Sequence, residues 1–127
     1  MIDSITFDAS HAATLARFWC EVLDDYEIAP YTDVDMAQLR AKGIDDAEDD
    51  PNVMVLPKSG SGPRLFFQKV LEGRTAKSRV HLDVRLRDRA HFDRLLELGA
   101  KVVREWDAGD GYWMTDPDGN DFCVYVE

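Results

Sequence analysis

The chain has 127 residues, 45% of them hydrophobic, which suffices for one packed core and is too little for two ordinary domains, so residues 1–127 are read as a single domain. Acidic residues outnumber basic ones 25 to 15, a formal charge of −10, which argues against a nucleic-acid backbone or an anionic membrane as partner and favours a cationic or neutral small ligand. No stretch nears the roughly eighteen apolar residues of a membrane span, the amino terminus lacks a basic-then-apolar leader, and Cys20 and Cys123 have no paired spacing; a cytoplasmic protein without disulfides is expected.

Residues 2–8 alternate, with Ile5 and Phe7 on one side and Ser4, Thr6 and Asp8 on the other, which predicts a half-buried strand. Ser10 is placed to cap a helix whose apolar stripe is Leu15, Phe18, Trp19 and Val22. Asp24 and Asp25 end it, residues 26–28 begin a short strand, and Pro30 stops that strand. A short helix is expected over residues 35–41, with Met36 and Leu39 turned inward. The acidic run 45–50 lacks the spaced ligands and central glycine of a Ca²⁺ loop and reads as a solvated loop. Residues 52–56 and 64–70 form a hairpin across a flexible connection, with Phe66 and Gln68 on one face and Leu65 and Phe67 on the other.

A basic crossover carrying Arg74, Lys77 and Arg79 leads to a strand over residues 80–86, in which His81, Asp83 and Arg85 point one way and Val80, Leu82, Val84 and Leu86 the other. Asp88 caps the next helix, Phe92, Leu95 and Leu96 form its stripe, and Gly99 supplies the left-handed stop. Residues 101–106 are a strand and 107–111 a turn. The closing hairpin, 112–127, is organised by Asp116-Pro117-Asp118-Gly119-Asn120, in which Asp accepts a backbone hydrogen bond, Pro presets φ and Gly supplies the positive φ that ends the turn. Its outgoing strand sends Cys123 and Tyr125 to one face and Phe122, Val124 and Val126 to the other. Shifting the first half by 77 positions lays Ser4 on His81, Thr6 on Asp83, Leu15 on Phe92 and Phe18 on Leu95, a repeat of pattern with little identity.

With this repeat, Leu15-Ala16-Arg17-Phe18-Trp19, His81-Leu82-Asp83-Val84 and the closing turn together, the chain resembles the vicinal oxygen chelate superfamily of glyoxalase I, bleomycin resistance proteins and extradiol dioxygenases. Phe18-Trp19, residues 64–70, residues 79–84 and residues 116–123 are similar to bacterial proteins carrying a glyoxalase-like domain. The resemblance implies an α+β fold of two βαβββ modules, one at about 1–72 and one at about 78–127, forming an open barrel-like cup. In the enzymatic members, metal ligands lie near the first strands of both modules and on their last strands. Carried residue by residue, those positions fall on Ser4, His81 and Cys123, and on Phe66 or, two residues on, Gln68. Only His81 is a usual ligand, so no metal cofactor is expected; a His/Cys zinc site completed by Gln and water is the alternative.

His81 is read either as a structural histidine or as an acid/base oriented by Asp83 on the same face. Ser4, Phe66, Gln68, Trp113, Cys123 and Tyr125 are the candidate ligand contacts, with Trp113 a pocket wall and Gln68 or Tyr125 able to polarise a substrate. Cys123 reads as a small apolar residue, because an acidic protein does little to lower a thiol pKa. Trp19 and Trp106 are assigned to the core, and His11 and His91 to exposed helix positions. Two functions follow: a metal-independent protein that binds or sequesters a cationic or aromatic small molecule, and a small lyase, isomerase or hydrolase using His81 as acid/base, with or without a divalent metal. Strand edges that need covering point to a homodimer.

Overall fold

The structure, a computed structural model, describes residues 1–126; the last residue of the closing hairpin, Glu127, lies outside them. Each half of the repeat folds its strands into a sheet of four. The first half runs β1 (Ser4–Ala9), α1 (Ala12–Val22), β2 (Tyr26–Ile28), α2 (Asp33–Ala41), β3 (Asn52–Pro57) and β4 (Arg64–Lys69). Its sheet has the order β1-β4-β3-β2, with β1 parallel to β4 and the other pairs antiparallel. The second half runs β5 (Leu82–Arg85), α3 (Arg89–Glu97), β6 (Lys101–Glu105), β7 (Gly111–Thr115) and β8 (Asp121–Tyr125), with the matching order β5-β8-β7-β6 and β5 parallel to β8. Two compact units result, Met1–Cys20 with Asp24–Leu71, and Glu21–Leu23 with the residues from Glu72 onward.

The repeat therefore extends from pattern to pairing. Thr6 lies opposite Phe66 in the first sheet, and its mate Asp83 lies opposite Cys123 in the second. Register thus makes Phe66, and not Gln68, the first-unit counterpart of Cys123, which closes the choice that the sequence left open.

In the first unit Leu15, Phe18 and Trp19 are buried, and Phe7 stacks between the Trp19 ring at 4.8 Å and the Phe67 ring at 5.0 Å. The helix α1 starts two residues after Ser10, and the His11 ring accepts the Thr14 N–H at 3.3 Å, so this histidine serves the helix end. Thr32 and Asp35 form a reciprocal capping box that starts α2 before the expected boundary. The acidic run is more tied down than a solvated loop: Glu48 holds Arg17 through two contacts of 2.7 Å, and Asp50 accepts the Tyr31 hydroxyl at 2.7 Å.

In the second unit β5 is shorter than the expected strand, and Val80 is 79% exposed. The cause is its partner: β5 pairs only with β8, which begins at Asp121 directly after the closing turn, so residues before His81 have no strand to bond. Asp88 caps α3, accepting the His91 N–H at 2.8 Å. The buried face of α3 is His91, Phe92 and Leu95, whereas Leu96 is 38% exposed. His91, expected outside, is 4% exposed, with Nδ1 accepting the Arg87 N–H and Nε2 donating to the Glu21 carbonyl at 2.6 Å. The closing turn forms as its residues dictate: buried Asp116 accepts the Asp118 and Asn120 amides at 2.9 Å each, and Gly119 takes φ +86°. No helix among the described residues is long and apolar enough to cross a membrane.

Candidate functional site

Alternation along strands gives the second sheet two chemically different faces. One is apolar, with Val84, Met114, Phe122 and Val124 buried, and Tyr112 stacked at 4.5 Å on Phe92 of α3. On the other, register aligns a single row across four strands: Asp83 opposite Cys123, Cys123 opposite Trp113, and Trp113 opposite Arg104. A cavity of about 370 Å³ is lined by Cys123, Trp113 and Arg104 of this row, joined by His81, Trp106, Lys77 and Asp107.

Trp106, assigned by sequence to the core, instead walls the cavity. It can lie flat because Gly111 beside it has no side chain: a Cβ there would collide with the Trp106 ring and come within 2.6 Å of the Val124 carbonyl oxygen. Tyr125 meets Trp106 edge-on at 4.7 Å, so its contribution is to brace that wall. The second indole is held by a hydrogen bond, Trp113 Nε1 donating to Asp121 Oδ1 at 2.9 Å.

Asp121 organises this corner, and sequence reasoning did not single it out. Its carboxylate, 1% exposed, also accepts the Ser78 amide at 2.6 Å and the Arg74 guanidinium at 3.0 and 3.2 Å. Burial pushes its pKa up, but the Ser78 amide, the Trp113 indole, the Ser78 hydroxyl and Arg74 together outweigh burial and hold it below the usual carboxylate range. The same bonds tether the crossover on both sides of Lys77, whose Nζ sits 5.2 Å from the Trp113 ring centroid. The available signal was an acid at the inward position of β8, between an invading basic crossover and an apolar neighbour; nothing in the spacing says that they meet.

His81 Nε2 lies 3.3 Å from Asp83 Oδ1, both side chains being substantially exposed. The donor atoms of His81, Asp83 and Cys123 all lie within 4.8 Å of one another. Nitrogen, oxygen and sulfur donors at about 2.0–2.3 Å from a tetrahedral ion stand about 3.3–3.8 Å apart, so with modest side-chain adjustment these three can converge on one zinc-like ion and leave a position open. The set differs from the one carried over by resemblance, since Asp83 joins and Ser4, Phe66 and Gln68 do not. The Cys123 thiol is pushed up by burial and by Asp83, with Lys77 opposing, so it is not an activated nucleophile.

Ser4, Phe66 and Gln68 belong to the first unit. Phe66 lines a separate cavity of about 370 Å³ there, together with Tyr31, Met54 and Asp50. Gln68 donates to Asp8 at 2.9 Å, and Ser4 is half-buried on β1. The structure thus brings together His81, Asp83, Trp113 and Cys123, with Tyr125 behind them.

Solved structures share this fold at low identity. FosX, a fosfomycin resistance protein from Mesorhizobium loti, aligns over 100% of this chain and 91% of its own at 18% identity and TM-score 0.63. The trypanothione-dependent glyoxalase I of Leishmania major aligns over 100% and 86% at 13% identity and TM-score 0.61, and a possible glyoxalase from Bacillus cereus over 99% and 98% at 12% and 0.61. Among curated protein sequences nothing matches the chain. The sequence model of the glyoxalase-like domain matches residues 4–125, nearly the whole length, and with the repeated βαβββ sheets this establishes that the chain belongs to the glyoxalase-like domain family of the vicinal oxygen chelate superfamily.

Proposed function

We propose that this chain binds a small aromatic molecule in the cavity between Trp106 and Trp113, using its own side chains and no metal. The observation that carries this reading is the cavity of about 370 Å³ with two indole walls and a few polar groups placed to fix orientation. Indole faces reward a planar apolar body, and the protonated Cys123 presents a small apolar floor. Likeness of fold to a fosfomycin resistance protein and to a glyoxalase I accords with small-molecule handling. Of the cationic and aromatic ligands expected from sequence, the cavity favours the aromatic one. The carboxylate that lines it, Asp107, is already engaged with Arg104 at 3.3 Å. Calorimetric titration with 2-naphthalenemethanol tests the reading. Binding that weakens at least about tenfold in Trp106→Ala and Trp113→Ala supports it. Absence of binding by this and other aromatic probes, alongside tight Zn²⁺ binding, overturns it.

The proximity of His81, Asp83 and Cys123 favours a second reading, an enzyme of the same superfamily. These three residues would hold a divalent ion, whose chemistry there is polarisation of a substrate oxygen. Without an ion, His81, oriented by Asp83, would instead exchange a proton with a substrate lying against Trp113. Zn²⁺ titration with elemental analysis distinguishes the parts: His81→Ala and Asp83→Asn should each weaken Zn²⁺ binding while leaving the thermal midpoint near that of the parent. Unchanged Zn²⁺ affinity in both variants removes the metal from this reading.

A further inference from the structure

We infer that the ligand of the two-tryptophan cavity is an aromatic carboxylate, with Lys77 as the residue that recognises its charge; this rests on the binding reading above and specifies it. The molecule as a whole carries −10, yet the charges around the cavity balance differently. Arg104 Nη2 lies 3.3 and 3.5 Å from the two carboxylate oxygens of Asp107, so these opposite charges offset each other. Asp83, beside His81 Nε2 at 3.3 Å, is not among the residues that line the cavity. Asp121, the nearest buried carboxylate, is satisfied by Arg74, Ser78 and Trp113. Among the charged side chains that line the cavity, the one without an ion pair among the described residues is Lys77: Arg104 and Asp107 pair with each other, and the Lys77 ammonium lies over the Trp113 ring at 5.2 Å.

This position is held, not incidental. Lys77 sits between Arg74 and Ser78, and both of those residues bond to Asp121, the carboxylate that also fixes Trp113. The recognition cation and the stacking wall therefore share one anchor. A ring laid against Trp113 lies beside Lys77, the unpaired charge of the lining, and a single negative group matches a single ammonium. A cationic ring in the same place would meet Lys77, and the carboxylate that lines the cavity, Asp107, is paired with Arg104. The distant negative charge of the surface does not decide the matter, because it is screened beyond about 8 Å at physiological salt.

Three probes of one shape test this by calorimetry on the intact chain: 2-naphthoate, 2-naphthalenemethanol and 2-naphthylmethylammonium. The expected order is naphthoate tightest, by about two- to fivefold over the alcohol, with the ammonium weakest, as one partly exposed ion pair allows. Lys77→Gln should close the gap between naphthoate and alcohol. If the ammonium binds as tightly as naphthoate, or Lys77→Gln leaves the naphthoate preference intact, the carboxylate assignment is wrong while aromatic binding stands. If none of the three binds, the binding reading itself fails and takes this inference with it.

Discussion

Asp121 draws on three segments at once: the Arg74 guanidinium, the Ser78 amide and the Trp113 indole all donate to a side chain that is 1% exposed. Replacing it with Asn removes the charge that these donors face and should cost about 2 kcal/mol of stability, the scale of buried hydrogen bonds to a charged group. Because its folded pKa lies below the unfolded value, its contribution is complete at neutral pH and is lost as pH falls below about 4 through the folded pKa. Denaturation midpoints of parent and Asp121→Asn should therefore converge toward acid pH; a difference that stays constant from pH 7 to pH 3 would refute the charge argument. Gly111 poses a packing constraint of a different kind. Gly111→Ala must displace the Trp106 ring, since the other close neighbour is the Val124 backbone. A loss of about 1–3 kcal/mol, as for overpacked sites, should accompany weaker aromatic binding, and calorimetry showing parent affinity would mean that Trp106 is not a wall.

At the scale of elements, α3 is fastened by a histidine that amphipathic spacing alone would not place. His91 accepts the Arg87 amide and donates to the Glu21 carbonyl, so it joins the start of α3 to the end of α1 within the second unit. His91→Leu keeps an apolar body there and strands both backbone groups. We expect it to cost about 2–3 kcal/mol, read as a lower urea midpoint at unchanged slope, and a shift of under about 0.5 kcal/mol would show the two bonds to be dispensable. The edge strand β6 shows the opposite situation. All five of its residues are exposed, Val102 and Val103 at 43% and 47%, and the pairing slips between Val102 and Arg104. That irregularity and the charges of Lys101, Arg104 and Glu105 make the edge a poor template for further strand pairing, a common protection of exposed edges.

For the whole molecule, we propose a homodimer at micromolar concentration. Exposed apolar side chains, among them Val34 at 65%, Leu71 at 95% and Val80 at 79%, offer surface for a self-complementary contact. The net charge of −10 opposes association, and added salt weakens that opposition. Light scattering should give about twice 14.4 kDa, with the dimer fraction rising from low to physiological salt; a mass of 14.4 kDa at every concentration and salt strength rules it out.

Sequence by itself determined the order of strands and helices, the internal repeat, the closing turn and the family, because alternation, helical stripes and turn residues are local and each carries its own period. It also named His81, Trp113 and Cys123, which do meet around one cavity. Tertiary structure alone decided what stands beside them. Register set Asp83 next to Cys123 and Trp113 next to Arg104, and a one-residue slip would have turned that row to the other face. The bonds from Arg74 and Ser78 to Asp121 span more than forty residues, so no spacing rule links them, yet they hold Lys77 over the indole. The net charge is a sum over the entire surface, whereas the charge a ligand meets depends on which side chains pair, and pairing exists only once the chain is folded.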